Sequence, residues 1–118
     1  MAEPLQWGVY WAPVAMRSRG GEHLAHPVVV VQRQELIAKL ATVLVVPLTS
    51  NWGGVKTCVR CVTVARNPFL AHDSWALVQL VGAEEKRSLE RLDLVGSLHE
   101  IDVAQLSAAL LYVLGVAP

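Results

Sequence analysis

The chain has 118 residues, enough for one hydrophobic core, and we expect residues 1–118 to form a single domain. Hydrophobic residues make up 53% of the chain and charged residues 17%, which is typical of a globular body that also buries apolar surface against a partner. Ten basic and ten acidic side chains cancel. This balance excludes a protein drawn to nucleic acid by its net charge, so any RNA or DNA site has to be local.

Two features predict where the protein works. No apolar run approaches the roughly 18 residues of a membrane span, and the start, Met-Ala-Glu-Pro, lacks the basic and apolar regions of a secretory signal. Two cysteines in a chain without such a signal are typical of a reducing compartment and not of a disulfide framework. We therefore expect a cytoplasmic protein that makes no membrane contact.

Short aliphatic segments bounded by turn residues predict a chain made mainly of β-strands. The predicted strands cover residues 6–12, 27–32, 43–50, 55–64, 74–81 and 94–98. The first of them is expected to end before Pro13, and His26 immediately precedes the second. Residues 33–40 have the spacing of a short surface helix, and the charged residues 84–91 predict a turn followed by another.

The last segment has the clearest helical pattern. Asp102 stands where an N-cap is expected and Gly115 where a C-cap is expected. Leu111 and Tyr112 point away from the main apolar stripe and are candidates for a partner surface. The leucines expected to pack on the strands are Leu106, Leu110 and Leu114. Together, these elements favour a small mainly β barrel with short edge helices and a C-terminal α-helix.

Residues 43–50, Val-Leu-Val-Val-Pro-Leu-Thr-Ser, predict a strand buried on both faces. Pro47 lacks an N–H, so it fits only where no ladder hydrogen bond is needed. The strand is expected to carry Thr49 and Ser50 to the rim of a sheet. There the two hydroxyls are either part of a site or a turn-initiating pair before Asn-Trp-Gly-Gly.

Several other residues have side chains suited to binding or catalysis, but the sequence pattern leaves their roles open. Arg17 and Arg19 precede a glycine hinge, Gly20-Gly21, and predict either a phosphate clamp or a solvated loop. Trp52 follows the rim strand and could stack on a base or lie beneath a partner chain. Cys58 and Cys61 form a C-x-x-C, but no second ligand pair accompanies them, so we expect neither a metal site nor a redox site. The tryptophans predicted to lie in the core are Trp7, Trp11 and Trp75.

The order of motifs resembles the MazF/PemK toxins of bacterial toxin–antitoxin pairs. The likeness runs from Gly-Val-Tyr-Trp through Gly-Gly-Glu, His-Pro-Val-Val-Val-Val and Val-Val-Pro-Leu-Thr-Ser to Asp-Ser-Trp-Ala-Leu-Val-Gln, Lys-Arg-Ser-Leu and Val-Gly-Ser-Leu. The resemblance implies an SH3-like barrel of the type shared with the gyrase poison CcdB, and a homodimer. It also implies sequence-specific cleavage of single-stranded RNA without metal or cofactor, inhibited by a cognate antitoxin protein.

The chain departs from the family pattern at two places. The resemblance assigns catalysis to Thr49 and to an arginine position that here holds His26. Relatives carry polar residues lining the RNA groove after the Asp-Ser strand. This chain keeps only Gln79 there, followed by Leu-Val-Gly. The groove is therefore expected to be more apolar.

Metal-free RNA cleavage needs a base for the ribose 2′-hydroxyl, a donor or cation for the phosphorane and an acid for the leaving oxygen. Histidine can carry the proton near neutral pH, whereas arginine mainly supplies charge. We expect His26 to be the general acid/base, with Thr49 and Ser50 donating to the phosphate. Arg17 or Arg19 would restore the missing cation. Glu22 would orient a histidine.

Alternatives to this assignment remain. His26 could be a structural histidine bonded to nearby backbone. The protein could also be a family member that has lost cleavage and serves as a protein-binding module, or a gyrase poison like CcdB that acts through its C-terminal residues.

Overall fold

Residues 3–13, 25–50, 61–64 and 74–116 are described by the structure, a computed structural model. Its strands are β1 (Gly8–Pro13), β2 (Ala25–Val30), β3 (Thr42–Thr49), β4 (Cys61–Val64), β5 (Ser74–Leu77), β6 (Gly82–Glu85) and β7 (Gly96–Ser97). Its helices are α1 (Gln34–Ile37), a 3₁₀ helix (Val78–Leu80), α2 (Lys86–Glu90) and α3 (Glu100–Val113). The predicted mainly β fold with short helices and a C-terminal helix is confirmed.

The strands form one curled antiparallel sheet with β3 at its centre. The order is β4-β5-β3-β2-β1-β7, and β6 also pairs with β3. One edge of β3 therefore holds β2, while the other edge holds β5 and β6 in succession.

Both faces of this sheet are buried. The first core cluster includes two residues of α3, and its members are Val9, Val29, Val46, Leu48, Ala76, Val78, Leu98, Leu106 and Ala109. The second includes one residue each of α1 and α2, and its members are Tyr10, Ala12, Val28, Val30, Ile37, Val43, Val45 and Leu89. Residues 45–49 of β3 are all buried, which confirms the prediction for that part of the strand, whereas Leu44 is exposed.

Pro47 lies where the outer edge of β3 changes partner. Leu44 accepts a hydrogen bond from Val31, so even-numbered residues of β3 direct their backbone groups towards β2. Pro47 therefore faces the other edge, where β6 pairs with Thr42–Val45 and β5 pairs with residues 48–49. The missing N–H falls in the gap between these two ladders. The expectation that Pro47 needs no ladder bond there is consistent with this arrangement.

This gap also corrects two predicted elements. The strand predicted over residues 74–81 ends at Leu77, and the 3₁₀ helix bulges out of the sheet before β6 rejoins β3 at Gly82. The charged Glu84 and Glu85, predicted to begin a turn and helix, lie instead in β6, and only residues 86–90 are helical. An aliphatic run alone could not distinguish a continuous strand from one interrupted by a helical turn.

The boundaries of β1 and β2 differ from the predicted ones. Trp7 has a φ of 66°, a left-handed conformation that prevents a strand from starting at Gln6, so β1 begins at Gly8. Pro13 does not end the ladder before itself but pairs with Ala25 as the last pair of β1 and β2. His26 consequently lies within β2, not before it.

Helix α3 begins three residues earlier than predicted. Its N-cap is His99, whose Nδ1 accepts a hydrogen bond from the Ile101 N–H at 3.3 Å. Asp102 is instead a buried residue of the first turn, where a carboxylate favours the helix dipole. The predicted stop at Gly115 is confirmed: Gly115 has a φ of 76°, and hydrogen bonds from it and from Val116 close the last turn.

Two apolar side chains are not where the sequence pattern predicted them. Trp11 is 48% exposed and Leu114 is 65% exposed. Alternation along β1 places Trp11 on the face opposite to buried Tyr10 and Ala12, beyond the end of the core. Leu114 follows the last residue of α3, past the point where the helix covers the sheet.

Gly115 gives a test of how the helix ends. A Cβ at this position would meet nothing within 4 Å, so a side chain there adds backbone strain but no clash. We expect Gly115→Ala to lower the free energy of unfolding by about 1 kcal/mol, and Gly115→Asn to lower it less. Urea denaturation measures both. Gly82→Ala is the control, since its Cβ would make only an ordinary contact; an equal loss in both alanine variants would contradict the conformational explanation.

Glu84 gives a test of pH dependence. Burial, and secondly the charge of Glu85, raise the pKa of its carboxyl above the ordinary value of 4.5. The folded state therefore binds this proton more tightly than the unfolded chain, so stability falls as the pH rises from 4.5 through the raised pKa. We expect Glu84→Gln to raise Tm at neutral pH and to flatten that fall. Thermal melts across this pH range measure both effects, and Asp93→Asn, at an exposed position, is the control. An equal change of Tm with pH in the two variants would contradict a specific effect of Glu84.

Candidate functional site

The candidate site lies at one end of the pair formed by β2 and β3. Val28 pairs with Pro47, and His26 and Thr49 each lie two residues beyond that pair, on the same side of it. The same register, continued by two residues, sets His26 opposite Thr49. Val28 and Pro47 are a pair without mutual hydrogen bonds, the type in which opposite side chains lie closest together.

The neighbours of these two residues extend the site across the sheet. His26 pairs with Ala12 of β1, and Thr49 pairs with Trp75 of β5. Paired residues in a sheet share a face, and alternation along β3 gives Thr49 the same face as Val45 in the second core cluster. Ala12, His26, Thr49 and Trp75 therefore form a line across four strands, which we call the site row.

The exposure of the site row suits a surface that binds a ligand over an apolar base. Thr49 is 8% exposed and Ala12 is buried, while His26 and Trp75 are half-buried. Thr49 and Trp75 each take part in further interactions of the folded chain. Thr49 is thus nearly buried, and half-buried His26 and half-buried Trp75 lie on either side of it.

The other predicted site residues divide into two groups. Ser50 is exposed just past the end of β3, and Gln79 is half-buried on the 3₁₀ helix, so the structure brings neither into the site row. The remaining four lie outside the described residues, namely Arg17, Arg19, Glu22 and Trp52. Cys58 also lies outside them, whereas the backbone of Cys61 pairs with Leu77.

Trp75 is the residue of the row that sequence reasoning missed, because an aromatic in an aliphatic strand is most often core. The available signal was the alternation within Ser-Trp-Ala-Leu, which puts the tryptophan on the opposite face from Ser74 and Ala76. The structure shows those two neighbours buried and the tryptophan only partly so.

Among the described residues, no three histidine, cysteine or acidic side chains group in a way that could hold a metal ion. None of the described helices is both long and apolar enough to cross a membrane.

The comparisons with known proteins define the class. The sequence profile of the PemK-like, MazF-like toxins of type II toxin–antitoxin systems matches residues 5–114. Among curated protein sequences, none matches the chain significantly. The curled sheet and C-terminal helix are the MazF fold. The chain belongs to the PemK-like, MazF-like toxin family of type II toxin–antitoxin systems.

Solved structures with the same fold are distant in sequence. A MazE–MazF structure from Deinococcus radiodurans is 16% identical, with a TM-score of 0.74 over 98% of this chain and 100% of the other. An endoribonuclease from a mycobacterial species is 22% identical, with a TM-score of 0.74 over 98% and 95%. A mycobacterial endoribonuclease in complex with its cognate antitoxin is 22% identical, with a TM-score of 0.69 over 100% and 98%.

Proposed function

We propose that this protein is the toxin of a type II toxin–antitoxin pair and acts in the cytoplasm as a sequence-specific endoribonuclease on single-stranded RNA. The observation that carries this proposal is the register of β2 and β3, in which His26 and Thr49 each lie two residues beyond the last pair, Val28 and Pro47, at the same end of the sheet. Family membership and structural relatives named as endoribonucleases support the same activity.

The proposed reaction uses the ribose 2′-hydroxyl as the nucleophile. His26 takes its proton, the 2′-oxygen bonds to the phosphorus, and the bond to the 5′-oxygen breaks. The products are a 2′,3′-cyclic phosphate and a 5′-hydroxyl, and the proton returns from His26 to the leaving oxygen. Thr49, nearly buried beside Trp75, donates a hydrogen bond to a phosphate oxygen. The mechanism requires no metal ion.

A phosphodiester site also needs positive charge, and within the described residues the site row contains no lysine or arginine. We propose that Arg17 or Arg19 supplies this charge and that Glu22 orients His26. Ser50, exposed next to Thr49, is a second donor to the phosphate. Trp52 and Gln79 are proposed to contact bases further along the strand.

We further propose that the chain forms a homodimer and that a cognate antitoxin protein inhibits it. The support is the outer face of α3, where several large apolar side chains remain exposed. Its exposed large residues are Ile101, Leu111 and Tyr112, followed by Leu114 and Val116 beyond its end. Structural relatives named as MazE–MazF and toxin–antitoxin complexes favour the antitoxin as a second partner.

The catalytic assignment is tested on the purified protein with a mixed RNA substrate and primer-extension mapping. We expect His26→Ala to slow cleavage about 10²- to 10⁴-fold, since it removes the proton carrier. Thr49→Val is expected to slow it about 10²-fold through the lost hydrogen bond.

Unchanged cleavage in His26→Ala would overturn the assignment of His26. A wild-type protein that cleaves no RNA would overturn the nuclease proposal itself. In that case a supercoiling assay with gyrase, and co-purification with the product of the adjacent reading frame, would separate a gyrase poison from a protein-binding module.

The dimer proposal is tested by light scattering after size-exclusion chromatography. Leu111 is 43% exposed on the outer face of α3, so a charge there should disrupt an apolar interface without disturbing the core. We expect wild type to be a dimer and Leu111→Glu to dissociate at least tenfold more readily. Leu40→Glu, on a similarly exposed leucine after α1, is the control. A Leu111→Glu variant that stays as dimeric as wild type would exclude this face as the dimer interface.

A further inference from the structure

Trp75 occupies an unusual place for a large aromatic residue. It is the second residue of β5, and its three neighbours in that strand, Ser74, Ala76 and Leu77, are buried. Trp75 is the one position of β5 that retains substantial exposure. Because β5 is held between β3 and β4 by ladders on both edges, the backbone that carries Trp75 is fixed.

The register joins this tryptophan to the candidate phosphate site. Thr49 is the direct cross-strand partner of Trp75, and such partners have their Cβ atoms about 5 Å apart on the same face of the sheet. The indole is much longer than the threonine side chain, so its reach extends past the hydroxyl. A phosphate bound at Thr49 would therefore lie within reach of the indole.

The two sides of Thr49 carry different kinds of side chain. His26 lies on the β2 side of Thr49 and Trp75 on the β5 side, since β3 separates the two strands. Only small Ala12 pairs with His26 on the next strand. The site row thus presents an acid/base group on one flank of the phosphate position and a flat aromatic ring on the other.

We propose that Trp75 is a stacking residue that binds the nucleobase on one side of the scissile phosphate and thereby fixes which phosphodiester is cleaved. This inference rests on the proposed ribonuclease function. Aromatic side chains on a binding surface stack on single-stranded bases, and removing one weakens binding by about 1–3 kcal/mol per base.

The test uses RNA oligonucleotides that contain the mapped cleavage site, with the 2′-hydroxyl at that site replaced by hydrogen to prevent reaction. Fluorescence anisotropy measures Kd for wild type, Trp75→Leu and Trp75→Phe. We expect Trp75→Leu to weaken binding about 5- to 150-fold, and Trp75→Phe to lose less because it keeps an aromatic ring.

Trp11→Leu is the matched control. Trp11 is an exposed tryptophan near the His26 end of the sheet, one pair away from Ala12, but alternation puts it on the face opposite to that of Trp75. We expect this variant to bind RNA as wild type does. Circular dichroism and urea denaturation establish that each variant is folded before its Kd is compared.

A scan with abasic nucleotides separates direct stacking from a structural role of Trp75. Removing a base at each position in turn should weaken wild-type binding strongly at one nucleotide flanking the scissile phosphate. At that same nucleotide, Trp75→Leu should lose little further affinity, because the two changes remove one shared contact. At all other positions the two proteins should lose equally.

The outcomes distinguish this inference from the function on which it rests. Wild-type cleavage of RNA together with unchanged binding by Trp75→Leu overturns the stacking role and leaves the nuclease proposal standing. Weakened binding by Trp75→Leu with parallel losses at every abasic position also overturns it, in favour of a structural role. A wild type that neither binds nor cleaves RNA overturns both.

Discussion

The arrangement of the sheet depends on one missing hydrogen-bond donor, the backbone nitrogen of Pro47. β3 is the central strand, and its outer edge holds β6 over its first half and β5 over its second. Between them Pro47 offers no N–H, so a single continuous strand along that edge would lack one ladder hydrogen bond. Between β5 and β6 the chain forms the 3₁₀ helix, which lies outside the sheet and contributes Val78 to the first core cluster. The segment that interrupts strand pairing along β3 is therefore itself packed into the core.

The same strand determines what lies at the candidate site. Its ladder with β2 ends at Val28 and Pro47, two residues before His26 and Thr49, and its ladder with β5 pairs Thr49 with Trp75. Because side chains alternate between faces, a shift of either ladder by one residue would move its contribution to the opposite face. Buried valines hold the register of β2 and β3, since the second core cluster includes Val28 and Val45 from the same face. The packing of the core therefore also determines the geometry of the candidate site.

Elements with a strong local signal could be predicted from the sequence, and elements decided by pairing could not. The buried β3 and the end of α3 at Gly115 follow from residue type alone. The N-cap at His99 was missed because histidine is rarely chosen there and Asp102 offered a stronger local signal. The split of residues 74–81 depends on Pro47, a residue far away in the chain. In the same way, Trp75 joins the site row only through its register with Thr49.

The composition of the site row favours recognition by shape over recognition by charge. A chain with ten basic and ten acidic side chains cannot draw RNA from a distance by its net charge, and an uncharged threonine in the middle of the row adds no field. His26 supplies less fixed positive charge than the arginine that the resemblance to the family implies at this position. Affinity for a single strand then has to come from local contacts, namely the charge proposed for Arg17 or Arg19, hydrogen bonds and base stacking. In that setting an aromatic ring next to Thr49 matters more than it would in a strongly basic groove. The apolar character of this site is consequently compatible with RNA binding, because stacking is strongest where water is excluded.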